Sequence, residues 1–188
     1  MDLLRYCRIA PEVVLEIRRS RAILRRAGTK QSAVELGSRV TILEPEYDAR
    51  GRLRPGRLLA LGRERLVPGG ETPGGATREL DLFDGENWLR LERLGVLTAY
   101  LTELLRPIRR AAWGRWPRVA VVELAPRAYE RGDGKECRRP TEPELALFAE
   151  ALLSAGAREV RLDLPGLPLR YVFAPEGLKI EKPPDEEP

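Results

Sequence analysis

The chain has 188 residues, with 33 Lys and Arg against 29 Asp and Glu, a formal net charge of +4, and 43% hydrophobic side chains. That balance belongs to a globular chain long enough to bury a core, and it excludes a disordered one. There is no histidine, which rules out Ser-His-Asp triads, Cys-His pairs, HExxH zinc sites and imidazole acid–base chemistry.

Several further exclusions follow. Cys7 and Cys137 are the only cysteines, too few for a four-thiolate zinc site or an iron–sulfur cluster; they read as structural thiols or as one disulfide. No cofactor and no metal are expected. No apolar run approaches the ~18 residues that cross a bilayer. "MDLLRYCRIAPEV" sets arginines and a proline where a secretory peptide needs an apolar stretch, so a cytoplasmic location and no membrane contact are expected. Arginines number 29 and lysines 4, with one Asn, one Gln, one Met and 16 prolines. Few thermolabile side chains among many charges fit a heat-adapted protein.

In chain order, Pro11 to Ala27 ("PEVVLEIRRSRAILRRA") reads as a helix closed by Gly28. On a helical wheel Val13, Ile17, Ile23 and Leu24 share one side. Arg18, Arg19, Arg21, Arg25 and Arg26 occupy the other. From Ser38, "RVTILEPEYD" and "GRLLALGRERLV" are β-rich, joined by "ARGRLRPG", which supplies turn residues and three cations. They predict a small antiparallel sheet.

The run "RLVPGGETPGGATREL" raises the question of phosphate binding. Gly70 and Gly75 have the spacing of GxxxxGK[ST], but Ala76 stands where the lysine belongs, and no helical pattern starts at Thr77. Pro73 removes a backbone donor. The run reads as a connecting loop.

Leu94, Leu97, Leu101, Leu104, Ile108 and Ala111 recur at three and four within a long helix from about Leu91 to Ala112, with Pro107 expected to bend or break it near Arg106. "RVAVVEL" then reads as a strand, Thr141 with Glu144 as a capping box for a helix ended by Gly156, and "REVRLDLP" as the returning strand of a β-α-β unit. "LRYVFAPEGLKIE" adds a strand or hairpin. The overall expectation is an α+β class: N-terminal basic amphipathic helix, small antiparallel sheet, long Pro-kinked helix and C-terminal β-α-β unit. It is read as one globular domain over 1–188, with a possible subdivision at 1–80 and 81–178 and an acidic tail at 179–188.

Two runs concentrate cations without acids. One holds Arg18, Arg19, Arg21, Arg25, Arg26 and Lys30; the other holds Arg106, Arg109, Arg110, Arg115 and Arg118, interleaved with Trp113 and Trp116. Guanidinium forks match phosphate oxygens and indoles stack on unpaired bases. The leading expectation is a non-catalytic nucleic-acid-binding or accessory subunit of a nucleic-acid-processing assembly. Its contacts are Arg18, Arg19, Arg21, Arg25, Arg26, Arg109, Arg110, Arg115, Trp113 and Trp116. A structural subunit facing an acidic protein surface is one alternative.

The other alternative is a Mg²⁺-dependent nuclease. Glu123 and Asp163 fall near the ends of the two β-α-β strands, where sheets of this kind gather catalytic groups. Asp81 and Asp84 would join them, with Lys135 or an arginine steadying phosphate. The (D/E)xK spacing is missing after Glu123. Finally, the 44-residue segment from "VAVVELAP" to "EVRL" resembles the closing β-α-β segment of radical-SAM enzymes that modify RNA. Their CxxxCxxC cluster motif does not occur, so the resemblance implies no site residue.

Overall fold

The structure, a computed structural model, describes residues 12–18, 20–27, 32–62, 64–65, 75–83, 93–111, 118–124, 141–163, 170–174 and 176–181. Among them are thirteen strands and two helices. The N-terminal helix is not there. Glu12–Arg18 (β1) and Arg21–Arg26 (β2) form an antiparallel hairpin with Arg18 paired to Arg21 across a two-residue turn. The helix-rich α+β layout is therefore overturned in favour of a mostly β protein.

The reason lies in the period. Val13, Leu15 and Ile17 are fully buried while Glu12, Val14 and Glu16 between them are not. That is the alternation of a strand with one face on the core, and it needs Leu15, which the helical wheel left off its apolar side. Ile23 and Leu24, grouped on the wheel, point to opposite faces of β2.

Ser32–Gly37 (β3) pairs with β2 and completes a meander. The chain then bends at Ser38 and enters a second sheet as Arg39–Leu43 (β4). Ser38 is 1% exposed, and its bonds hold the corner. Its N–H donates to the Ser20 carbonyl at 2.9 Å, its carbonyl accepts from the Leu82 N–H at 2.8 Å, and its hydroxyl donates to Asp81 at 3.1 Å. A strand that changes sheets at such a bend is a common way to turn a corner between two sheets.

Beyond β4 come Glu46–Tyr47 (β5), Leu53–Arg54 (β6), Arg57–Leu61 (β7), Glu64–Arg65 (β8) and Thr77–Asp81 (β9). The four-stranded sheet has the order β8-β7-β4-β9 and is antiparallel throughout. Strands β5 and β6 continue the β4–β7 hairpin as a two-stranded ribbon, with Leu43 opposite Arg57, Glu46 opposite Arg54 and Tyr47 opposite Leu53. Its tip is tightly fixed. Asp48 accepts from the N–H groups of Arg50 and Arg52 at 2.8 and 2.9 Å, and Gly51 takes φ +71°, the left-handed geometry of a three-residue hairpin loop.

Leu94–Ala111 (α1) runs on past Pro107 rather than ending before it. Arg118–Leu124 (β10), Glu142–Ser154 (α2) and Val160–Asp163 (β11) follow, with β10 and β11 parallel neighbours. The Thr141 N–H donates to the Glu144 carboxylate at 2.7 Å at the start of α2, and Gly156 and Ala157 donate back to Leu153 and Leu152 at its end. Arg170–Ala174 (β12) and Gly177–Glu181 (β13) close the chain as a hairpin, so Lys179–Glu181 belong to a strand and not to the tail.

The larger sheet has the order β13-β12-β11-β10-β1-β2-β3. Its three central strands are parallel and its flanks antiparallel. The helices pack on each other and on the face that carries Leu15, Leu24, Val160 and Leu162. That face, both helices and the inner side of the small sheet share one apolar cluster. Tyr100 pins α1 to it: fully buried, it donates to the carbonyls at Leu36 (2.8 Å) and Gly37 (3.1 Å) and meets Phe83 edge-on at 5.3 Å. Among the described residues, no helix is long and apolar enough to cross a membrane.

Candidate nucleic-acid interface

The hairpin β1–β2 redistributes the first cationic run. Alternation sends Arg21 and Arg25 to the sheet face opposite the helices, where Glu16 and Glu35 also stand, and sends Arg26 the other way. Arg18 and Arg21 sit directly opposite each other at the turn. Like charges so placed repel. Carboxylates relieve them: Glu16 holds Arg18 at 2.5 Å and Arg25 at 2.7 Å, and Glu35 holds Arg21 at 2.5 Å. The Glu16 carboxylate, through its hydrogen bond first and then its charge, raises the basicity of Arg18. Arg19 lies outside the described residues.

Arg109 and Arg110 fall in the last turn of α1, while Trp113 and Arg115, with Trp116, lie outside the described residues. Arg106 is ion-paired to Glu103 one turn before it. The run ends at Arg118, whose register partner is Glu12 on β1. Since Val13 in turn pairs with Arg26, the two cationic runs reach the same end of the sheet, one on each side of β1. Arg18 and Arg21 lie at the other end.

The carboxylate candidates are partly brought together. A single register line crosses all seven strands through Glu35, Ile23, Glu16, Glu123, Asp163, Arg170 and Glu181. Positions 16, 123 and 163 lie on three adjacent parallel strands, each ~4.8 Å from the next. Glu123 and Asp163 are direct neighbours, as the nuclease reading requires. Asp81 is not with them: it ends β9 in the other sheet and accepts the Ser38 hydroxyl. Asp84, Lys135, Cys7 and Cys137 lie outside the described residues. Among the described residues no group of three or more potential ligands forms a metal site.

Glu16 was missed by sequence reading because the helix reading gave it no strand on which to pair with Glu123. The signal that finds it is the alternation of Val13, Leu15 and Ile17. Most of the glycine loop also lies outside the described residues. Its end is visible: Gly75 has φ +145°, the Ala76 carbonyl accepts from Glu44 at 2.9 Å, and strand β9 starts at Thr77. A strand, not a helix, receives the loop, so the helix N-terminus that a phosphate cradle needs does not follow it.

No protein-family model matches this chain, and no curated protein matches it.

Proposed function

We propose that the protein is a non-catalytic nucleic-acid-binding accessory subunit that contacts phosphates through the β1–β2 hairpin. One observation carries this reading: Arg18 and Arg21 stand opposite each other at an exposed turn, with side chains 45% and 41% accessible. A guanidinium has five donors, and one carboxylate contact leaves most of them for a phosphate. Exposed ion pairs of this kind are worth only ~0–1 kcal/mol, so exchanging a glutamate for a phosphate costs little. On this patch three arginines, 18, 21 and 25, meet two glutamates, 16 and 35. The ion pairs hold the hairpin cations in place while the chain is free. Filter binding of short DNA and RNA across a salt series tests it. Affinity is expected to fall steeply with ionic strength; no retention at low salt contradicts it.

A second reading is favoured by the register of Glu123 with Asp163, at the same end of the sheet as Arg18. In it the carboxylates hold Mg²⁺ and the hairpin arginines hold the phosphodiester. It requires cleavage that depends on Mg²⁺ or Mn²⁺ and disappears in Glu123→Gln and in Asp163→Asn. Binding without cleavage eliminates it.

A further inference from the structure

The ribbon formed by β5, β6 and the turn between them, taken with its base at the start of β7, carries four exposed arginines, Arg50, Arg52, Arg54 and Arg57. Arg39, Arg78 and Arg161 each have a carboxylate partner within 4 Å, at 2.7, 3.5 and 2.6 Å. None of the four ribbon arginines forms an ion pair among the described residues. This holds even though Glu46 faces Arg54 across the ribbon. Asp48, the remaining acid of the tip, spends its carboxylate on the Arg50 and Arg52 N–H groups.

Geometry adds a second point. Positions paired across a hairpin share a face and successive positions alternate. Arg52 and Arg54 therefore lie on one face and Tyr47 and Arg57 on the other, with Arg50 at the tip. Tyr47 is 64% exposed. From Leu43 to the tip the ribbon reaches roughly 20 Å. Its base is fixed by Gly56, which is buried so closely that a methyl there would meet the Leu43 carbonyl at 3.0 Å and the Val96 side chain at 3.5 Å.

We infer that this ribbon is a second nucleic-acid contact and that it enters the major groove of B-form duplex DNA. A rigid two-stranded ribbon with cations on both faces fits a channel with phosphates on both walls, and the B-form major groove is about 12 Å wide and admits such a ribbon. The major groove of A-form RNA is too narrow. Arg52 and Arg54 contact one phosphate wall, Arg57 with the Tyr47 hydroxyl the other, and Arg50 points to base edges. This inference rests on the reading of the chain as a nucleic-acid binder, but on none of the residues named for that reading.

The test is fluorescence anisotropy of the full chain with a labelled 20-base-pair DNA duplex and with an unstructured oligothymidine of equal length, across a salt series. Each phosphate contact to duplex adds about 0.9 to the slope of log affinity against log salt. Arg52→Ala/Arg54→Ala/Arg57→Ala is therefore expected to lower the duplex slope by about 2 to 3. Wild type should prefer duplex to single strand. The three side chains are exposed, so an unchanged circular dichroism melt confirms that the variant is folded. An unchanged slope, or no preference for duplex, overturns the inference. If Arg18→Ala/Arg21→Ala abolishes binding while the ribbon variant keeps it, the hairpin reading stands and this one falls. The opposite pattern sustains the ribbon and removes the hairpin. Polyglutamate competing as well as duplex also overturns the assignment, because it marks an acidic protein surface as the partner.

Discussion

Glu16 bridges Arg18 on its own strand and Arg25 on the neighbouring strand, so one carboxylate is shared by two guanidiniums on the open face of the large sheet. It links stability to binding, because whatever competes for these arginines competes with Glu16.

Replacing Glu16 separates the two roles. Glu16→Gln takes one carboxylate contact from Arg25, whose side chain is only 24% accessible. We expect a loss of about 1–2 kcal/mol, on the scale of a hydrogen bond to a charged group. Urea denaturation measures it. The same variant should bind nucleic acid several-fold more tightly and with a steeper salt dependence, since an internal competitor is gone. Weaker binding on removal of this acid would contradict the role given to the hairpin.

The corner at Ser38 is expected to be costly to disturb. Ser38→Ala removes the hydroxyl bonded to Asp81 in an otherwise buried setting and should cost about 1–2 kcal/mol. For a chain of this size that lowers Tm by roughly 2–8 °C. Ser38→Gly should fall further, because the bend gains freedom in the unfolded chain.

Tyr100 makes stability depend on alkaline pH. Burial raises its hydroxyl pKa above the ordinary value of 10.0, and a hydrogen bond from the Ala22 backbone opposes this only in part. A pKa raised in the folded state stabilises the fold fully below the unfolded value and progressively less as pH rises through the folded one. The stability advantage of wild type over Tyr100→Phe is therefore expected to be constant up to about pH 10 and to shrink above it. Denaturation of both proteins between pH 7 and 11.5 tests this. A gap that stays constant across the range contradicts the buried, neutral phenol.

Gly75 is predicted to resist substitution although it ends a loop. Its φ of +145° suits glycine alone, and an added methyl would come within 2.9 Å of the Leu43 side chain at the base of the ribbon. Gly75→Ala should cost about 1–3 kcal/mol. Gly177, at φ +131° with open space around it, should lose only the backbone part of that cost.

How much of this could be read from the sequence varies along the chain. Helix α1 announces itself through Leu97, Leu101, Leu104 and Ile108 at helical spacing, all of them buried. Thr141, Glu144 and Gly156 mark both ends of α2. The first hairpin is different. Between Arg18 and Arg21 the sequence has no Gly, Pro or Asn, so nothing punctuates the run, and a helical wheel fits a segment whose true period is two. That one misreading grouped five arginines on one surface and hid Glu16 from Glu123. Register across seven strands is non-local, and no spacing within either segment reports it. The ribbon was legible as a turn with three cations. That those cations form no ion pair among the described residues is a property of packing and had to be seen in space.

On the function proposed here, exposed guanidiniums on two β-hairpins bind nucleic-acid phosphates. The most direct measurement is the salt slope of duplex DNA binding for the wild-type chain and for the Arg18→Ala/Arg21→Ala/Arg52→Ala/Arg54→Ala variant. At about 0.9 per phosphate, the account predicts a fall of roughly 3.5 with the melting temperature little changed. A wild-type chain that binds no nucleic acid in 50 mM salt, or a variant that binds with the same slope, would contradict it.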